Sequence, residues 1–239
     1  MTSSMTATQH STQQPGPRDL RTATRWAAAL VLPVGPLAIA LVRLVLPYYH
    51  ASNTEETVTD VLHHQGTQSV VLWAAFVGVL TLLPGVLAVA RVTRSRAPVS
   101  TTAGLTLVCA GYLALPWMIS ADVLLWSGAN ANLDSSSIGS LFDHLHPSVG
   151  VALGVFVIGH VLGTVFLGVA LWRSNLVPRW AALATAVSQP GHFVAFVILG
   201  SAPLDAAAWV LNAIGFAMVS LAILRTSDDE WELPPVSAA

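Results

Sequence analysis

Long apolar stretches alternate with short polar ones along most of the chain. A helix that crosses the hydrocarbon core of a bilayer needs about 20 apolar residues. Six stretches reach that length: residues 26–47, 70–90, 103–125, 149–172, 180–201 and 206–224. Each is read as a helix, because an open strand would leave backbone N–H and C=O groups unpaired in lipid. Barrel strands would show period-two alternation over about 9–11 residues, a pattern missing from this sequence. The expectation is an all-α fold, a six-helix transmembrane bundle over residues 26–225, flanked by tails at 1–25 and 226–239. The first tail is rich in Ser, Thr and Gln, has no apolar face to bury and is expected to be disordered. The acidic run Asp228-Asp229-Glu230-Trp231-Glu232 is expected to be solvated.

Two polar connections carry shorter helical patterns. Ile138, Leu141, Phe142 and Leu145 fall at i, i+3, i+4, i+7, one face of a short amphipathic helix before span 4. Residues 54–64 predict a second one before span 2, with Ser52 or Asn53 as N-cap and Glu55 or Glu56 three residues on. An offset of 83 residues aligns Asp60-Val61-Leu62-His63 with Asp143-His144-Leu145-His146, and Arg96 with Arg179. This suggests a parallel internal repeat of surface helix, span, basic loop and span.

Composition narrows the class. Hydrophobic residues make up 54% of the chain and charged ones 9%, with a mean hydropathy of +0.67. A soluble domain carries roughly 25% charged residues, so a soluble globular protein is excluded. The single cysteine, Cys109, excludes a disulfide scaffold. A net charge of −2 with no basic patch argues against a nucleic-acid partner. The expected partners are the lipid bilayer and either a second copy or another membrane protein.

All ten basic residues are Arg, and their placement sets orientation. Arg18, Arg21 and Arg25 precede span 1; Arg91, Arg94 and Arg96 lie between spans 2 and 3; Arg173 and Arg179 lie between spans 4 and 5; Arg225 follows span 6. The other three connections carry no Arg, so the positive-inside rule puts both termini in the cytoplasm of a plasma-membrane protein.

Arg43 is the one exception, about four residues or 6 Å from the outer end of span 1. Asp122 lies at similar depth in span 3, and buried charge in lipid is normally paired or faces a cavity. The two are expected to pair, lining an outward-opening site; the alternatives are a structural ion pair or two side chains snorkelling to the headgroups. His160 and His192 lie near the middle of consecutive, antiparallel spans 4 and 5, with Gln189 one turn from His192 and Asn212 in span 6. Two imidazoles at the midplane could hold haem, hold a metal or relay protons; plain interhelical hydrogen bonding is the simpler alternative. The repeated Asp-x-x-His pairs, Asp60 with His63 and Asp143 with His146, form a candidate divalent-metal set, against which stands ordinary helix capping. Span 4 carries Gly150, Gly154 and Gly168 on one face and Gly159 and Gly163 on the other, predicting close packing on two sides.

No nucleophile elbow, phosphate loop or zinc-protease motif is present, so no catalytic residue is assigned. The stretch GVALWRSNLVPRWAALA, residues 168–184, resembles the cytoplasmic span–loop–span hairpin of actinobacterial six-span membrane proteins of unknown function. That resemblance implies topology alone. Three readings remain: a non-enzymatic protein that binds a small ligand or metal in an outward-opening polar pocket; a redox protein with haem between spans 4 and 5; and a small transporter. The Arg distribution predicts that a reporter fused after Ala239 behaves as cytoplasmic. A reporter exported to the far side overturns the orientation.

Overall fold

The computed structural model describes residues 19–232. Within them the chain forms ten α-helices, one π-helical turn and no strand. In order these are α1 (Arg21–Val31), α2 (Val34–Val45), α3 (Thr54–His63), α4 (Gln65–Thr93), α5 (Pro98–Asn130), α6 (Ser135–Asp143), α7 (Ser148–Ser174), α8 (Arg179–Phe193), the π turn (Val194–Ile198), α9 (Ala202–Arg225) and α10 (Asp228–Trp231). Six stretches are long and apolar enough to cross a membrane: Arg21–Val45, Gln65–Thr93, Pro98–Asn130, Ser148–Ser174, Arg179–Ile198 and Ala202–Arg225.

Short connections force consecutive spans to run antiparallel as neighbours. Each packs on the next in chain order, and α9 packs back on α2, so the six spans close into a ring. Leu32, Leu82, Val86, Leu167, Phe216 and Ile223 are buried in its core, while Trp73, Leu80, Leu113 and Ile158 face outward. Both faces of each helix are therefore apolar, and what marks the interior is small and polar side chains. The longest close-packed seam is between α5 and α7. A Cβ added to Gly163 would lie 2.3 Å from Val108 Cγ2 and 2.7 Å from its backbone nitrogen; one added to Gly111 would lie 2.9 Å from the backbone nitrogen of His160. Gly159 and Gly163 thus bring span 3, not span 5, against span 4. Gly168 packs on Ala186 of α8, whereas Gly150 and Gly154 meet nothing, so only part of the expected second glycine face is used.

At one end of the ring α3 and α6 pack on each other through Val58, Val61 and Ile138, over Leu125 and Ala129 of α5. Asn53 is the N-cap of α3, accepting from the Glu56 N–H at 2.9 Å, and Asp134 caps α6, accepting from Ser137 N–H at 2.9 Å. Helix α6 stops at Asp143, so Leu145 lies beyond the face expected to include it. Spans 2 and 4 begin 83 residues apart at Gln65 and Ser148, but α3 and α6 begin 81 apart at Thr54 and Ser135. The repeat therefore holds as an order of elements, and the 83-residue register does not extend to the surface helices.

The opposite end holds every described Arg except Arg43, and both ends of the described chain. Residues 21–25, expected in the disordered tail, are the first turns of α1; residues 1–18 lie outside the described range. The acidic run is not simply solvated either. Ser227 and Glu230 form a capping box for α10, Arg25 meets Asp228 at 3.2 Å, and Trp231 is buried with its indole N–H donating to Thr24 at 3.0 Å. Arg21 also meets Asp229. An isolated surface pair contributes little, but this set works with a buried indole to dock one tail on the other.

Span 1 is broken at Leu32-Pro33, between α1 and α2, where a proline without an N–H interrupts the helical ladder. Pro84 and Pro116 remain inside continuous helices. Pro190 also lies inside its helix, and four residues after it the backbone shifts to the π turn.

Placing a methyl group at Gly163 forces α5 and α7 apart, whereas one at Gly150 meets open space. Gly163→Ala is expected to lower the stability of the detergent-solubilised protein by about 1–3 kcal/mol, and Gly150→Ala to leave it near wild type. Equal thermal unfolding of the two variants would contradict this packing.

Candidate functional site: an interior chain of polar side chains

The site begins at the end of the ring that carries α3 and α6. Arg43 lies in the last turn of α2 and Asp205 in the first turn of α9, where the helix dipole favours a carboxylate. Asp205 is completely buried, and three donors converge on it. Arg43 Nε donates at 2.6 Å and the Tyr49 hydroxyl at 2.9 Å, both to Oδ2. His192 Nδ1 donates to Oδ1. The Arg43 guanidinium lies 4.2 Å from the centroid of the Phe196 ring and 5.1 Å from that of Tyr49, an arrangement that favours a cation. Burial, with the Asp205 carboxylate adding to it, pushes the Tyr49 hydroxyl up to about 12, so Tyr49 stays a donor.

From His192 the chain of side chains continues inward. The His160 and His192 rings lie 5.5 Å apart between centroids, and Trp209 lies 6.0 Å from the first and 5.5 Å from the second. His160 Nδ1 donates to the Phe156 carbonyl at 2.6 Å, which leaves Nε2 as an acceptor. Gln189 lies one turn inward of His192, and Asn212 one turn inward of Trp209. Because α8 and α9 are antiparallel neighbours, these two amides come to matched depth. Both are fully buried. Six polar atoms of this inner group have no hydrogen-bond partner: His160 Nε2, Trp209 Nε1 and both side-chain atoms of Gln189 and Asn212.

The π turn gives the site its cover. Widening the helix after His192 puts Phe196 over Arg43 and parallel to the His192 ring, 6.4 Å from it. Such turns recur at functional positions because they re-aim side chains within a helix. Phe196 remains partly exposed while Asp205 beneath it is not.

Arg43 and Asp122, expected to pair, take different partners. Asp122 accepts from Gln68 Nε2 at 3.0 Å and from the Tyr48 hydroxyl. Depth along a span says nothing about azimuth, and ring closure puts span 6 beside span 1 while span 3 lies two positions away. Tyr48 and Tyr49, adjacent in the turn after span 1, link the Asp122 and Asp205 clusters. Asp205 was legible only indirectly: it lies in the shortest connection, just after Pro203, where it reads as part of a loop. It was missed; the signal that could have found it was Arg43, a cation within span 1 in need of a carboxylate, which depth alone assigned to Asp122 instead.

Asp60, His63, Asp143 and His146 do not converge. Asp143 accepts from the Thr54 hydroxyl at 2.6 Å, at the start of α3, while Asp60 and His63 lie at its end. Six to nine residues of helix, about 9–13 Å, separate those positions. His146 instead pairs with Ser148, which accepts from the Trp117 indole at 2.7 Å. Among the described residues no group of three or more His, Cys, Asp or Glu side chains could hold a metal ion. Haem fits the interior poorly as well. A macrocycle between two axial imidazoles needs a flat slot, and here Phe156 stacks on His160 at 4.2 Å while Trp209 packs against both rings. Comparison with models of known families, with curated proteins and with solved structures gives no match.

Removing one partner of a buried ion pair strands the other and costs about 3–5 kcal/mol. Arg43→Met and Asp205→Leu are each expected to destabilise the protein by about that amount. The double variant should recover at least half of the summed loss. Strict additivity in thermal unfolding would show that the two groups are not coupled.

Proposed function

We propose that the chain is a multi-pass protein of the plasma membrane, with both termini in the cytoplasm, that binds a small polar ligand in the interior chain of side chains, reached from the outer side. Six long apolar helices support membrane embedding, and nine of the ten Arg residues on one set of connections support the orientation. The end carrying α3 and α6 is then the outer one. Asp205, Arg43, Tyr49 and Phe196 form the mouth, and His160 lies one ring deeper, 5.5 Å between centroids from the His192 that holds Asp205.

The observation that carries the binding reading is the set of six unpartnered polar atoms around His160, Gln189, Trp209 and Asn212. An unpaired buried polar group costs about 1–3 kcal/mol, and side chains of this kind inside membrane spans mark substrate or ion pathways. The set offers donors from the indole and both amides and acceptors from the imidazole and both amides. It carries no fixed charge. Its complement is a small neutral molecule that both donates and accepts hydrogen bonds. The ionic groups sit at the mouth, where they orient the ligand and exclude lipid. One observation favours transport over static binding: Pro190, Gly191 and the π turn place a deformable stretch of span 5 across the mouth.

Mass spectrometry of gently extracted protein tests the binding reading. The wild-type protein is expected to carry a small polar molecule at near one per chain, and Gln189→Leu/Asn212→Leu to carry at least tenfold less while keeping its fold. Leucine replaces the amide volume without its polarity, which is close to neutral when both partners are removed. A wild-type protein that carries nothing, together with a double variant of raised stability, would mark the amides as structural and end the binding reading.

A further inference from the structure

At the Arg-rich end, a cavity of about 560 Å³ opens sideways between spans 1, 2 and 3. Its lining changes character with depth. Leu87 of α4 and Leu105 of α5 form its apolar part, and Leu87 is about half exposed. Thr102 and Thr106, one turn apart on α5 and both exposed, present hydroxyls along one wall. Arg91 and Arg94 lie at its outer rim, with Trp231 beside them.

The two arginines are not equivalent. Arg91 is committed to the C-terminal turn: its Nε and Nη2 donate to the Trp231 carbonyl at 2.9 Å and 2.7 Å, and its guanidinium lies 4.5 Å from the Trp231 ring centroid. Arg94 is exposed, and among the described residues no hydrogen bond or ion pair holds its side chain. It also lines a second cavity of about 340 Å³ on the other side of Trp231, together with Arg96. Glu232 lies 3.7 Å from Arg91 and Glu230 lines that second cavity, so three arginines against two glutamates leave one positive charge over at the rim, and Arg94 is the arginine whose side chain has no partner among the described residues.

We infer that this cavity binds the phosphodiester headgroup of an anionic phospholipid, with Arg94 as the free cation, Thr102 and Thr106 as hydroxyl donors, and the acyl chains lying along Leu87 and Leu105. Charge complementarity supports this occupant. A basic pocket between spans, at headgroup depth and open to the hydrocarbon, matches a lipid whose head is anionic and whose tail is apolar. A soluble anion would have no use for the lateral opening or for its leucines. The docked tails complete the wall: Trp231 is held at the cavity by Arg91 and by Thr24, while Arg25 pairs with Asp228 of the same helix. The inference rests on membrane embedding and is independent of the interior site, so failure of the ligand reading leaves it intact.

Native mass spectrometry of the full chain in detergent, titrated with phosphatidylglycerol and with phosphatidylcholine of the same acyl chains, tests it. The wild-type protein should prefer phosphatidylglycerol. One arginine near a headgroup contributes about fivefold in affinity, so Arg94→Gln should bind phosphatidylglycerol about fivefold more weakly, with unchanged thermal unfolding. Arg173→Gln, which removes an exposed arginine at the same end away from the cavity, should bind as wild type. Thr102→Val/Thr106→Val should also weaken phosphatidylglycerol binding. The inference is overturned if phosphatidylcholine binds equally, if Arg173→Gln weakens binding as much as Arg94→Gln, or if inorganic phosphate at millimolar concentration competes fully with the lipid.

Discussion

The carboxylate of Asp205 sets the terms for the rest of the molecule. It is completely buried at one end of a bundle whose outer faces are apolar. Water is not at hand to share its charge, so the protein must bring donors to it. Those donors come from span 1 through Arg43, from the turn after span 1 through Tyr49, and from span 5 through His192. Answering one carboxylate thus joins the first span to the last two. At the far end the first span is joined to the segment after the last by Arg25 with Asp228 and by Thr24 with Trp231. A ring of six helices in chain order needs its first and last members held together, and polar contacts do this at both ends.

Between those ends the work is done by shape. Lipid tails are as apolar as leucine, so burying leucine between helices gains little in a bilayer. Close contact is what separates packed from unpacked, and the α5–α7 seam shows how it is made. Gly104 and Gly111 meet Gly163 and Gly159, so that backbone lies against backbone. That seam fixes the inward aim of His160, the residue after Gly159. Span 5 departs from regular helix where span 4 stays continuous. Its proline and π turn re-aim Phe196 over Arg43, and a regular helix from Pro190 onward would carry that ring elsewhere. Interior polarity and lateral basicity are then two separate features, one set by side chains aimed at the ring's centre and the other by a gap between spans near the Arg-rich end.

Helix class, span number and the grouping of Arg residues were legible from the chain because each depends on local composition alone. A run of about 20 apolar residues forms a helix in lipid whatever its neighbours are. Depth was legible too, since rise per residue is constant; this is why His160 and His192 could be matched before any contact was known. Azimuth was not. Spans that are apolar on every side carry no periodic stripe to say which face turns inward, so Arg43 could be matched in height with Asp122 while its partner was Asp205. The metal set failed for the same reason, because equal spacing within two short helices does not say which ends of those helices meet. Asp205, Tyr49 and Trp209 became site residues only once α9 closed the ring against α2 and α8. Ring closure brings together positions more than 150 residues apart, as with Arg43 and Asp205, and no local property of the chain encodes such a contact.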